Sequence, residues 1–264
     1  MSERKAWMLL LTLCLVSRLW SSIYYIEDPD SLRFALAMSD YDVAKMQPHF
    51  PAYPVFCGLA KSIYWITDRY AAAFAILGGI ATFATIYFAL ALAHIRIVEP
   101  FGIALVFLMF FNPLIWLMGN RYMPDLMGVA LALGSCALAG AHNTKKVLAA
   151  FFVAGLMLGV RLSYAPMLLP PLWASLYAGR DRMLFVGVGL AGVAVWFVPL
   201  LAITGWNDLV VAAQEQTTGH FTEFGGTVAT DPDYVLRAVK LFEGVWADGF
   251  GLYWSGRHWV TQVA

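Results

Sequence analysis

Five carboxylates crowd one short polar stretch of an otherwise apolar chain: Glu27, Asp28, Asp30, Asp40 and Asp42, all within residues 27–54. The stretch ends in a proline-stiffened run, Gln47-Pro48-His49-Phe50-Pro51-Ala52-Tyr53-Pro54. A positioned carboxylate can take a proton from a hydroxyl or amine when its pKa lies near the working pH. Carboxylate oxygens also suit a divalent metal, and Asp28, Asp30 and Asp125 with water are the set on offer. The blander reading of Asp30 is an N-cap for the amphipathic segment Ser31-Leu32-Arg33-Phe34-Ala35-Leu36-Ala37-Met38.

Three further polar interruptions carry groups of the same kind. Gly119-Asn120-Arg121-Tyr122-Met123-Pro124-Asp125 places an acid directly after a proline, where it either caps the next helix or faces Asp30 as a second carboxylate. Gly159-Val160-Arg161-Leu162-Ser163-Tyr164 holds a lone cation between apolar runs, an interfacial anchor or a clamp for an anionic headgroup. Residues 214–227 are polar and glycine-rich and carry His220; they form a plain surface loop or a flap over a substrate. Beyond them, Arg237 and Lys240 share one helical face, and the aromatic stretch 246–259 suits a segment lying at headgroup level.

The elements that must position these groups are apolar. The 264 residues are 61% hydrophobic and 13% charged, with mean hydropathy +0.68, which fits a polytopic all-α membrane protein. Net charge is zero, so there is no basic field for nucleic acid. Cys14, Cys57 and Cys136 lie scattered in apolar context and read as packing residues. Gly187-Val188-Gly189-Leu190-Ala191-Gly192 has the letters of a dinucleotide fingerprint but sits inside an apolar run, where close helix packing explains it.

Apolar runs at 6–26, 71–93, 101–118, 126–141, 147–160, 162–177 and 184–203 predict about seven transmembrane helices. The first is expected to be a retained helix, because no small-residue cleavage site follows it. Within it, Arg18 is expected either to snorkel outward or to pair with an acid of the next loop. The segment 55–67 spans only roughly 20 Å as helix, short of a ~30 Å hydrocarbon core, and is expected to be half-inserted. If it does not cross, Arg4/Lys5, His94/Arg96, Lys145/Lys146 and Arg180/Arg182 share the starting side, with only Glu3, Glu99 and Asp181 of the 17 acids beside them. That obeys the positive-inside tendency and puts the N-terminus in the cytoplasm, with Asp30, Asp125, Arg161 and His220 together on the outer face. The expected organisation is a membrane module over 1–204, with a first external loop at 27–70 bearing amphipathic helices, and an external or interfacial segment over 205–264.

The first-loop residues Asp30-Ser31-Leu32-Arg33-Phe34-Ala35-Leu36, then Asp42 and the run 47–54, resemble the first external loop of bacterial GT-C superfamily glycosyltransferases, polytopic relatives of protein O-mannosyltransferases and of the aminoarabinose transferases of lipid A. In that family the run commonly reads His-Pro-Pro-Gly-Tyr-Pro; Phe50 and Ala52 stand where it has Pro and Gly. Asp125 fits the acid of a later external loop. The resemblance implies an inverting transfer of a sugar from a polyprenyl-phosphate donor to a glycan, lipid or protein acceptor, outside a bacterial inner membrane. It assigns Asp30 as base and Asp125 as the acid that orients substrate or holds a metal. Arg161, with Arg121 or Arg237, would hold the lipid phosphate. His49 and His220 would bind the leaving phosphate or the sugar, with Asp28 and Tyr53 lining the same site. Two other classes compete: a transporter or flippase, because acids and Arg near a membrane also suit a substrate path, and a non-catalytic subunit of a membrane complex.

Overall fold

The structure, a computed structural model, describes residues 2–141, 143–178, 181–223, 230 and 232–245. Arg180, the glycines at 225 and 226 and the aromatic stretch 246–259 lie outside the described residues. Among those described, the protein is all-helical: α1 (Glu3–Trp20), α2 (Pro29–Ser39), α3 (Pro54–Thr67), α4 (Tyr70–Ala93), α5 (Pro100–Phe110), α6 (Pro113–Met118), α7 (Asp125–Ala139), α8 (Thr144–Leu158), α9 (Ala165–Ala178), α10 (Arg182–Thr204), α11 (Trp206–Thr218) and α12 (Tyr234–Glu243). Two of them, α4 and α10, are long and apolar enough to cross a membrane.

Each expected apolar run is helical, with shifted ends that have local causes. The first helix stops at Trp20 rather than at residue 26. Ser21 turns its hydroxyl back onto the Ser17 carbonyl at 2.8 Å, and the Ile23 carbonyl is taken by the Tyr122 hydroxyl at 2.5 Å. The run 101–118 is not one helix. Pro113 has no N–H to continue it, and the Asn112 side chain caps α6 by accepting from the Ile115 N–H at 3.0 Å.

The fold also settles how α3 runs. Arg96 lies 3.3 Å from Glu3, joining the end of α4 to the start of α1. Those two helices are therefore antiparallel, and α3 returns the chain to the end where α1 finished. At that end Ser21 donates to the Asn120 side-chain oxygen at 3.3 Å, and the Val55 N–H to the Gly159 carbonyl at 3.0 Å. The exits of α1, α6 and α8 and the entry of α3 are thus gathered at one end, called here the site end. At the opposite end Ser175 of α9 donates to the Ala139 carbonyl of α7 at 3.2 Å. Helix α4 packs against α1, α3 and α7, and α8 lies between α7 and α10.

The glycines of the fingerprint-like run serve that packing. A Cβ on Gly192 would collide with the Phe152 carbonyl, and one on Gly155 of α8 would collide with the Gly189 carbonyl of α10. Small residues here let two helix backbones approach.

Arg18 follows neither expectation. It is fully buried, with its guanidinium over the Trp116 ring at 3.9 Å and the Phe110 ring at 5.5 Å. One nitrogen donates to Ser17 at 3.2 Å; Nε and the other terminal nitrogen have no hydrogen-bond partner. The break at Asn112-Pro113 turns Trp116 onto α1, so aromatic faces replace a carboxylate. A desolvated cation–π contact contributes about 2 kcal/mol, less than the several kcal/mol it costs to bury an unpaired ion. Arg18→Met is therefore expected to raise the thermal midpoint of the detergent-solubilised protein; a lower midpoint would mean the guanidinium is a net stabiliser.

Candidate functional site

Helix α2 forms because Pro29 occupies its first turn and Asp28 caps it, accepting from the Ser31 N–H at 2.7 Å. The cap expected of Asp30 thus belongs to Asp28, and Asp30, within the first turn, turns to other partners. The helix buries Phe34, Ala35, Ala37 and Met38. From there an aromatic chain crosses the core. Phe34 packs on Tyr53 at 5.1 Å and Phe56 at 5.5 Å, Phe56 on Phe74 at 5.9 Å, and Phe74 on Tyr122 at 4.3 Å. Such pairs contribute about 0.5–1.5 kcal/mol each beyond burial. They tie the first loop to the 119–125 turn, so both acid-bearing segments are held by one core.

On that platform the predicted residues form a connected chain. Asp30 accepts from Arg33 at 3.0 Å and faces His49 Nδ1 at 3.5 Å. His49 Nε2 meets the Tyr53 hydroxyl at 3.0 Å. Arg161 donates to the same hydroxyl at 3.4 Å and to Asp125 Oδ1 at 3.0 Å. Because Arg161 can only donate, the Tyr53 proton is free to point at His49 Nε2. That leaves the imidazole proton on Nδ1, toward Asp30. Nδ1 has no hydrogen-bond partner, and neither has Arg161 Nε, although both atoms are buried. Asp125 opens α7 but does not cap it; its carboxylate goes to Arg161 instead.

The chain around these groups is tightly bent. Ala52 and Tyr53 have φ of 73° and 46°, in the left-handed region. Ala52 is completely buried. The Tyr41 hydroxyl donates to its carbonyl at 2.8 Å, fixing the bend from inside.

Electrostatics follow from burial and these partners. Burial holds the His49 imidazole below its usual pKa, against the pull of Asp30 and with help from Arg33 and Arg161. Burial raises the Tyr53 phenol; Arg161 opposes the shift, and Asp125 and Asp30 add to it. Partial burial would raise Asp28, but the Ser31 N–H and Arg121 together hold it below the usual carboxylate range.

His49 gives a pH prediction. Its folded pKa lies below the unfolded value of about 6.5. The unfolded chain therefore binds the proton more readily, and stability falls as pH drops below about 6.5. His49→Gln is expected to flatten that part of a stability-against-pH curve, measured by thermal unfolding between about pH 5 and 7.5. An unchanged slope would place the titration elsewhere.

The Asp28 carboxylate is engaged by the Ser31 N–H and Arg121. Arg121 is held by Asp28 and, at 3.3 Å, by Glu27. Asp28, Asp30 and Asp125 do not form one metal set: among the described residues no three His, Cys, Asp or Glu are grouped to hold an ion. His220 lies exposed in the turn Gly219–Glu223 with its ring edge-on to Phe221, and makes no ion pair or hydrogen bond with the cluster among the described residues. Arg237 sits on α12, none of whose residues is buried.

Sequence reasoning missed Arg33 and α11. Arg33 is one helical turn from Asp30, a spacing that brings side chains together, and that signal was legible. Helix α11 docks on the first loop through Leu209, which packs with Val43, Ala52 and Leu200. No sequence pattern announces that contact. Compared with known protein families, with characterised proteins and with solved structures, the chain finds no match.

Proposed function

We propose that the chain is an integral-membrane glycosyltransferase of GT-C type that uses a polyprenyl-phosphate-linked sugar. The observation that carries this reading is the connected chain Asp30–His49–Tyr53–Arg161–Asp125, which sets a half-exposed carboxylate and a guanidinium at one end of an apolar helical bundle. Seven helical segments then serve as spans, the broken pair α5–α6 counting as one. Large apolar side chains on their outer surfaces, such as Phe107 and Leu190, both 63% exposed, would face lipid rather than water. The basic loops lie at the end opposite the site, so by the positive-inside tendency the site end would be extracytoplasmic in a bacterial inner membrane.

In the proposed reaction an acceptor hydroxyl attacks the anomeric carbon from the side opposite the phosphate. The new glycosidic bond forms as the carbon–oxygen bond to phosphate breaks, so configuration inverts. The hydroxyl proton passes to Asp30, and the electron pair leaves with the polyprenyl phosphate, whose charge Arg161 offsets. Asp125 holds Arg161 in place, and Tyr53 with His49 fixes the orientation of both ends. No metal is needed in this scheme.

The test is donor turnover by purified protein in detergent, against a panel of radiolabelled polyprenyl-phosphate sugars with crude membrane acceptors. An enzyme releases polyprenyl phosphate without any sealed vesicle. Solute accumulation confined to sealed vesicles would establish a transporter instead. Folded protein that does neither and copurifies with a partner would establish a subunit.

A further inference from the structure

A cleft of about 710 Å³ opens between α11 and the 42–50 loop, within the range of small-molecule sites (~300–1,000 Å³). One wall is apolar and aromatic, with Phe50 and Met46; the other carries Asp208, Glu215 and Glu223. Glutamine and threonine side chains of α11 fill the spaces between these acids. The cleft reaches the site directly, because Arg33 lines it and also bonds Asp30 at 3.0 Å. It is also a built feature: the Val43, Ala52, Leu200 and Leu209 cluster clamps α11 to the loop beneath it.

Its charge is one-sided. Arg33, the cation of the lining, is already neutralised by Asp30. Asp208, Glu215 and Glu223 form no salt bridge among the described residues. Asp208 complements the first turn of α11, but Glu215 and Glu223 have no such role. An uncompensated anionic wall facing an aromatic one repels uronates and phosphorylated sugars. It suits a ring with apolar faces, hydroxyls and an ammonium group.

We infer that this cleft is the acceptor site and that it takes an amine-bearing, cationic glycan in preference to neutral or acidic ones. The inference rests on the reading of Asp30 as the base, since that is what makes the neighbouring cleft the acceptor's. A lipid is a poor occupant, because the cleft lies between two polar external elements rather than along an exposed apolar helix face.

Binding alone tests it. Detergent-solubilised protein without donor would be titrated calorimetrically with β-1,4 disaccharides of glucosamine, of glucose and of glucuronate, and with ethanolamine. The expected order is glucosamine, glucose, glucuronate, with each step about tenfold, the effect of roughly one screened charge contact. The double charge reversal Asp208→Lys with Glu215→Lys, both at exposed positions, is expected to invert that order. Equal binding of the three disaccharides, or an order that survives the reversal, would overturn the inference. Ethanolamine binding as tightly as the glucosamine disaccharide would overturn its glycan part. Because the titration needs no turnover, a failed donor assay with this order intact sinks the enzyme reading and with it the acceptor role, and leaves the cleft's preference for a cationic glycan standing. Turnover with no such order sinks only the cleft.

Discussion

If the proposed mechanism holds, Asp30→Asn is expected to lower sugar transfer by about 10²–10⁴-fold, the usual worth of a positioned general base, without loss of folded protein. The two halves of that expectation have separate grounds. The substitution keeps the shape of the side chain and removes its ability to accept the acceptor's proton. Folding is spared because the helix cap is Asp28, not Asp30, and because Asp30 is 42% exposed and contributes little buried contact. Its ion pair with Arg33 is a partly exposed i,i+3 contact, which contributes about 0.2–0.5 kcal/mol. Initial transfer rates and thermal midpoints measured on the same preparations separate chemistry from stability. An unchanged rate removes Asp30 as the base and with it the proposed mechanism. A rate and a midpoint that fall together make Asp30 structural.

Gly78→Ala is expected to cost about 1–3 kcal/mol of stability, the usual penalty for overpacking, and to abolish activity in whatever protein still folds. A Cβ at Gly78 would fall on the carbonyl oxygen of Gly119, a backbone atom that cannot swing aside as a side chain could. Arg18 of α1 also packs close on this turn: its Nε lies 2.8 Å from where a Gly119 Cβ would be. The turn therefore has little room to retreat. Any shift passes along the turn to Arg121, Tyr122 and Asp125. It loosens the Arg121 contacts with Glu27 and Asp28, the Tyr122 stack on Phe74, and the Asp125 bond to Arg161. Thermal unfolding in detergent checks the first part, and transfer rates check the second. A variant with wild-type stability and activity would show that α4 and the turn can part without consequence. Gly58 is the matched control: a Cβ there meets nothing within 4 Å, so Gly58→Ala is expected to be tolerated.

Much was readable from the chain alone, and the reason is local. The apolar runs marked the helices, because burying a continuous apolar stretch in helical form satisfies its backbone wherever it lies. Asn143 before Thr144 and Asp233 before Tyr234 cap their helices as residue type alone predicts. The short length of α3 and the placement of basic pairs implied that it returns the chain to the same end, and the Glu3–Arg96 contact agrees. The acids and Arg161 stood out because charge is rare in such a chain.

What only the tertiary structure decided is which partner each group meets. Asp28 and Asp30 sit two residues apart, yet one is engaged by the cap and Arg121 while the other faces His49. That outcome depends on the 119–125 turn, some ninety residues away and held by the Phe74–Tyr122 stack. Arg18 could not be assigned from its neighbours, because its partners Trp116 and Phe110 reach it only through the bend at Asn112-Pro113. The cleft under α11 depends on Leu209 meeting Val43 and Ala52. Helix position and type follow from short-range pattern and capping, whereas pairing between distant charges follows from packing that no local spacing encodes.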